Sequence, residues 1–270
     1  MRLALSKDGE SFDEPKVVPT PKNFNEAIKA FKEAFDEVAK GESVEKAVGG
    51  MRGPFNNKKT IMVNSSMLPD WNDKPLKEEM EKVVGAPVII ENDTALVGMG
   101  EMLSGAGKLA PPAGRGTRIG VYITVSTGVG GARYHNGVLD ENRFGFEPGH
   151  QVIDFKNNIS LEDLVSGTAL EKREGKKAYE VTDPAIWDEL AKTLAYGLYN
   201  TILHWSPDVV VLGGSMIVGD PAIEVELIEK YLKEINTKFP ELPEIKKAEL
   251  EDFGGLYGAI AFIKQQKELK

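Results

Sequence analysis

Six residues, Ser126-Thr127-Gly128-Val129-Gly130-Gly131, separate the apolar run Ile119–Val125 from a second run that begins at Ala132. Glycines in such a turn let backbone N–H groups approach an anion that side chains would otherwise keep away. A strand–turn–strand cradle of this kind suits the β- and γ-phosphates of a nucleotide, with Thr127, Gly128, Gly130 and Gly131 in contact. It is not a dinucleotide fingerprint, because no helix follows the glycines. It is not a Walker loop, because no Lys-Ser or Lys-Thr closes it. Taken alone, the pattern fits an ordinary glycine hairpin better.

A second chemical signal is Glu91-Asn92-Asp93-Thr94-Ala95, which follows the apolar run Val88-Ile89-Ile90. A carboxylate at the carboxyl end of a central strand points into the crevice where α/β folds bind ligands. There Asp93 can accept the proton of a hydroxyl as its oxygen attacks a phosphoryl group. Asn92 beside it offers an amide to a neighbouring hydroxyl. The competing reading of Asp93 is a cap for a helix that begins at Thr94. Glu147, His150 and Glu162 form a further set. A carboxylate binds adjacent hydroxyls with two oxygens, and an imidazole both donates and accepts. Glu162 also suits the first turn of a helix, where the macrodipole favours an acid.

These groups need a scaffold, and the periodicity of the chain supplies one. Met1–Ser6 and Lys16-Val17-Val18 read as a hairpin. A helix carries Phe24, Ile28, Phe31, Phe35 and Val38, capped by Asn23 or Asn25 and stopped at Gly41. Ile61-Met62-Val63 and Val88-Ile89-Ile90 read as buried parallel strands around a helix with Leu76, Met80 and Val83. A second half begins at Thr117, and its hairpin turns at Asn136-Gly137. Helices follow from about Ser160, from Asp183-Pro184 through Trp205, and from about Pro221 to Lys238, with a last one from Leu256 to Lys267. Lys108–Gly114 reads as an exposed connection. Strands alternating with helices indicate an α/β protein.

The 270 residues suffice for one large or two modest domains. A formal net charge of −9 and the lack of a basic block argue against nucleic acid as a partner. With no cysteine, disulfides and thiolate metal sites are excluded. No apolar run spans a bilayer and no signal peptide opens the chain, which points to a cytoplasmic protein with no membrane partner.

The order of Glu91–Ala95, the glycine turn, Glu147-Pro148-Gly149-His150, Leu161–Gly167, Val209–Ser215 and Gly254–Ile260 resembles the ROK family of sugar kinases and repressors. The resemblance covers nearly the whole chain. It implies the two-domain actin-like ATPase fold, of the ribonuclease H-like kind, with an interdomain cleft. The expected boundaries are a smaller domain over 1–103, with 256–270 packing back on it, and a larger one over 104–255. The implied activity is phosphorylation of a hexose or amino-sugar by Mg-ATP, in a homodimer, with polyphosphate left open as donor. Asp93 is then the base, and Asn92, Glu147, His150 and Glu162 are sugar ligands. Gly53, within Gly49–Phe55, belongs to the loop that closes over the sugar. Ser65–Trp71 resembles Asn-Leu-Pro-Gly-Trp with Met67 where Asn is usual, so one sugar contact is either lost or supplied by Ser66, and Trp71 is a structural plug. Gly213, Gly214 and Ser215 let adenosine lie against backbone. The family's zinc motif after Glu-x-Gly-His has no cysteines here, so no zinc site is expected and magnesium travels with ATP.

The chain also departs from the family at its start. Such kinases open with a strand ending in Asp-x-Gly-Gly-Thr, and Met1–Ser6 matches what should follow it. One strand and one phosphate loop, on the order of a dozen residues, are expected to be absent. Either the start was placed too late in the gene or the element is lost. The expected consequences are impaired phosphate binding, a sheet repaired by repacking or by another strand, and a less stable amino-terminal half. A sugar-binding pseudokinase is the alternative function. The repressor branch fares poorly, because no helix-turn-helix precedes the kinase-like part.

Overall fold

A computed structural model of the chain describes residues 1–65, 67–108, 116–142 and 145–268. The residues group into two compact units, Met1–Gly100 with Gly255–Lys270, and Glu101–Gly254. Ser66, and the expected connection from residue 109 on, lie outside the described residues.

The first unit runs β1 (Arg2–Leu3), β2 (Lys16–Val17), α1 (Phe24–Ala39), β3 (Ala47–Met51), α2 (Leu76–Val84), β4 (Val88–Asn92) and the start of α3 (Asp93–Ser104). The Asn23 side chain caps α1 by accepting from Glu26 N, and Lys40 closes it in the left-handed conformation. α2 ends the same way at Gly85. Phe24, Ala27, Met62, Trp71, Leu76, Val84, Val88 and Ile90 form the core. Trp71 is the plug expected of it: its ring is 2% exposed, meets Phe24 edge-on, and donates through Nε1 to Lys22 O.

One strand assignment needs correction. The parallel partner of β4 is β3, not Ile61–Val63. Met62 makes only isolated bridges, to Phe55 and Asn72. The Asn56 side chain accepts from Thr60 N, and the Asn72 side chain accepts from Ser65 N, so this apolar run is held in a polar-braced loop. β3 escapes a periodicity reading because Gly49-Gly50 looks like a turn. The glycine is there for another reason, since a Cβ on Gly50 would lie 3.3 Å from Asp93 Cα and 3.2 Å from Leu96 Cδ1. Among the described residues, the strands of this unit form two separate pairs, β1–β2 and β3–β4.

The second unit continues with β5 (Ile119–Val125), β6 (Val129–His135), β7 (Val138–Leu139), β8 (Val152–Asp154), β9 (Ile159–Ser160), α4 (Leu161–Val165), α5 (Gly167–Glu174), α6 (Pro184–Trp205), β10 (Val209–Gly213), α7 (Ser215–Val218), α8 (Val225–Ile235) and β11 (Glu244–Lys247). Its sheet has the order β11-β10-β5-β6-β7, parallel through the first three strands and antiparallel beyond. All five residues of β10 are buried, as suits a central parallel strand. The helix expected from Ser160 is two, broken at Ser166, whose side chain caps α5. α8 begins at Val225, four residues later than expected. The chain closes with α9 (Gly254–Glu268), which joins the first unit from Gly255. A Cβ on Gly258 would sit 1.7 Å from Leu96 O, so only glycine lets α9 lie against α3. No helix among the described residues is long and apolar enough to cross a membrane.

Glu101 is 1% exposed, and its carboxylate accepts from Ala106 N, Glu249 N and Leu250 N at 2.8–3.0 Å. Replacing it with Ala leaves three amides without their acceptor, and denaturant titration should show a loss of about 3 kcal/mol. Two-stranded sheets are marginal, whereas β10 is covered on both faces. Amides of β3 and β4 are therefore expected to exchange with deuterium before those of β5 and β10. Equal protection of the two pairs would contradict this.

Candidate active site

In the second unit the glycine turn closes a hairpin whose register brings Val125 opposite Val129. Ser126 N donates to Gly128 O, and Ser126 O accepts from Gly167 N at 2.6 Å. Thr127 is exposed at the tip, while Gly128 and Gly131 are buried and Gly130 is half-buried. The second glycine pair lies beside it. Gly214 has φ of 87°, and a Cβ there would meet Val125 O at 2.3 Å; one on Gly213 would meet Tyr122 Oη at 2.3 Å. Glycine at both positions lets the β10–α7 turn press against the end of β5. The Ser215 and Ser126 hydroxyls pair across this contact at 3.1 Å. The structure thus brings Thr127–Gly131 and Gly213–Ser215 together, and it adds Ser126, which sequence reasoning left out.

The hydroxyl-reading candidates lie against β6 of the same hairpin. Pro148–His150 form one short helical turn, with Glu147 and His150 at its ends. Glu147 Oε2 and His150 Nε2 are 3.9 Å apart, and both side chains are about three-fifths exposed. The turn sits hard on β6: a Cβ on Gly131 would meet Pro148 Cγ at 2.6 Å, and one on Gly149 would meet Val129 O at 2.2 Å. Glu162 comes from the first turn of α4, where Ser160 and Asp163 form a capping box. Its Oε2 accepts from Val129 N at 2.7 Å. One carboxylate oxygen of a sugar-reading candidate is therefore spent on the phosphate turn itself. Partial shielding from water raises the Glu147 pKa; the nearby Glu162 adds to this, and His150 opposes it.

Gln151 is a residue that sequence reasoning missed. It donates through Nε2 to Pro148 O and Gly197 O, and accepts from Asn200 Nδ2, which fastens the Glu147–His150 turn to α6. Nothing in its local sequence marks it, because its partners on α6 lie 46 and 49 positions away.

In the first unit Asn92 ends β4 and Asp93 begins α3. The cap is Asn92, whose Oδ1 accepts from Ala95 N at 3.1 Å. Asp93 holds Thr94 N through Oδ1 at 2.8 Å. That leaves Asp93 Oδ2 and the Asn92 side-chain Nδ2 without a partner among the described residues. A carboxylate with one oxygen anchored and one open is oriented for proton acceptance. Gly53 follows β3 with φ of 130°, against the Met62 side chain. Lys59 and Glu91, not singled out in the sequence, form an ion pair directly before Asn92.

Residues 1–266 match the ROK family. A glucokinase of Thermotoga maritima is 27% identical over 279 aligned residues, spanning 89% of this chain and 86% of that protein. A fructokinase of Lactococcus lactis subsp. cremoris is 24% identical across 76% of this chain and 74% of its own. Among solved structures, a ROK family glucokinase from Streptomyces griseus in complex with glucose and AMPPNP is similar with a TM-score of 0.75 at 25% identity, covering 98% of this chain and 96% of that one. A ROK hexokinase from Thermus thermophilus gives a TM-score of 0.74 at 25% identity with the same coverages. The actin-like ATPase fold expected from the sequence is the fold this chain shares with them.

The two acids of the second unit should respond differently to truncation. Glu162→Ala strands Val129 N and is expected to cost about 1–2 kcal/mol of stability. Glu147→Ala removes an exposed side chain and should stay within about 0.5 kcal/mol. Parallel urea titrations of the two variants check this, and equal losses would remove the structural role of Glu162.

Proposed function

The chain belongs to the ROK family, and from that membership we propose that it is a sugar kinase. On this reading it transfers the γ-phosphoryl group of Mg-ATP to a hydroxyl of a hexose or amino-sugar, with glucose as the reference substrate. The observation that carries the reading is the Asn92–Asp93 pair at the end of β4, with Asp93 Oδ1 anchored on Thr94 N. Asp93 takes the hydroxyl proton through Oδ2 as the sugar oxygen bonds to phosphorus. The bond from phosphorus to the bridging oxygen breaks, and ADP leaves. Asn92, Glu147, His150 and the free oxygen of Glu162 read the remaining hydroxyls. Gly53 and Ser66 are assigned to the sugar as well, with Met67, in place of the usual Asn, bearing on which sugar is preferred.

Backbone amides of Thr127, Gly128, Gly130 and Gly131 hold phosphates, where positioning and electrostatics supply most of the rate. Gly213, Gly214 and Ser215 take the adenosine. The bound AMPPNP of the Streptomyces griseus relative supports ATP over polyphosphate as donor. A cytoplasmic homodimer completes the proposal.

A coupled assay of ADP release against a panel of hexoses and amino-sugars tests it. Asp93→Asn is expected to lower kcat by about 10²–10⁴-fold, the usual worth of a general base, while glucose binding stays measurable by calorimetry. No sugar-dependent turnover with any common hexose, or unchanged turnover in Asp93→Asn, overturns the kinase. Sugar binding without turnover would favour a pseudokinase.

A further inference from the structure

The segment between Gly53 and Trp71 contains a built turn that the proposed reaction leaves unexplained. Asn56 organises it: its Oδ1 accepts from Thr60 N at 2.9 Å, its Nδ2 donates to Thr60 Oγ1, and its backbone O accepts from Lys59 N. Bridges between Phe55 and Met62 close the loop, and Lys77 N holds Thr60 O. Within this frame Lys59 is held at φ of +50°, a left-handed conformation that L-residues other than glycine and asparagine avoid. The conformation sends the ammonium onto Glu91, with Nζ 2.5 Å from each carboxylate oxygen.

Glu91 is the unusual partner. It stands on β4 with its side chain 8% exposed, whereas that of Lys59 is 40% exposed. A buried carboxylate is costly to desolvate, and one ion pair rarely repays that cost as stability. Glu91 does something more specific: its Oε1 also accepts from Asn92 N at 2.8 Å. Asn92 in turn caps α3 through Ala95 N, and Asp93 is the first residue of that helix. A continuous series of hydrogen bonds therefore runs from the Lys59 ammonium through the Glu91 carboxylate and the Asn92 amide to the helix turn that carries Asp93. Gly50 of β3 also comes close, since a Cβ there would lie 3.3 Å from Asp93 Cα.

We infer that Lys59, acting through Glu91, is a positioning residue for Asp93. The inference rests on Asp93 being the proton acceptor proposed above. With the ammonium in place, the Glu91 carboxylate is held against the Asn92 backbone N–H. Without it, the buried carboxylate has no counter-charge and turns toward water, releasing the Asn92 backbone N–H.

The experiment compares Lys59→Met and Lys59→Arg with the parent by steady-state kinetics and by deuterium exchange. In Lys59→Met, kcat should fall about ten- to a hundredfold, the scale expected when a reacting group is displaced slightly, with little change in the KM for sugar or ATP. Lys59→Arg, which keeps the charge, should restore most of the rate. Exchange of the amides in residues 92–95 should quicken in the Met variant alone. Unchanged kcat, a loss carried by KM, or failure of Arg to rescue overturns the inference. If the parent shows no turnover, the kinase reading falls by itself, and exchange at residues 92–95 still decides whether Lys59 orders this turn. Should Lys59→Met not fold, Lys59→Gln, which keeps a donor without the charge, is read in the same way.

Discussion

The contact between the start of β6 and the Pro148–His150 turn leaves no room for a methyl group on either side. Gly131 lies under Pro148, and Gly149 lies over the carbonyl of Val129, where a Cβ would be 2.2 Å away. Backbone against backbone cannot adjust by changing a rotamer, so the two segments move as one body. That body carries both sets of candidate residues in the second unit. The amides proposed to hold phosphate are on its β5–β6 side, and Glu147 and His150 are at the ends of its short turn. Glu162 reinforces the join by accepting from Val129 N, and Gln151 extends it to the long helix α6. Gly197 of that helix would meet Leu161 at 2.4 Å if it bore a Cβ, so α6 and α4 are also set by close approach. The placement of three sugar-reading candidates thus follows from where glycine occurs, more than from any attraction among the readers themselves.

The first unit solves the same problem by different means. Its strands are short and paired two by two, which supplies little rigidity. Asp93 nevertheless sits at a well-determined point, because three local constraints meet there. The Asn92 side chain caps the helix, Gly50 of β3 admits the helix backbone closely, and Glu91 holds the Asn92 amide. Each is a short-range contact that survives small movements of the rest of the unit. Precision at the proposed base depends on the turn itself and not on an extensive sheet.

Local chemistry was well exposed in the sequence. A strand breaking into Thr-Gly-x-Gly-Gly, an Asn-Asp pair after an apolar run, and a Pro-initiated helix from Asp183 each declare themselves within a dozen residues, and the structure has all three. What periodicity could not convey was tertiary. β3 was hidden because a glycine required by the approach of α3 looks like a turn when α3 is not in view. Ile61–Val63 passed for a strand because burial of Met62 in a braced loop produces the same apolar run as a strand does. Gln151, Ser126, and the Lys59–Glu91 pair were silent because each acts on a partner 32 to 89 positions away. Glu162 was legible as a polar reader but not as the acceptor for Val129 N. A residue type reveals what a side chain can bind, while only the fold reveals what already occupies it.

That distinction bears on Glu147, the least committed member of the set. Its pKa is raised by shielding and by Glu162, so the folded state binds its proton more tightly than the unfolded chain does. A carboxyl shifted upward favours the folded state most at low pH, and that contribution is lost as pH rises through the folded value. Once ionised, Glu147 no longer makes that contribution, and it lies near a second carboxylate that repels it. Glu162 has a structural reason to be acidic, because its oxygen satisfies a backbone amide. Glu147 has none in the fold, and its side chain is 61% exposed. An exposed acid near another acid, with the His150 imidazole 3.9 Å away, is placed to accept from ligand hydroxyls. A ligand that donates hydroxyls to both carboxylates would relieve the repulsion between them.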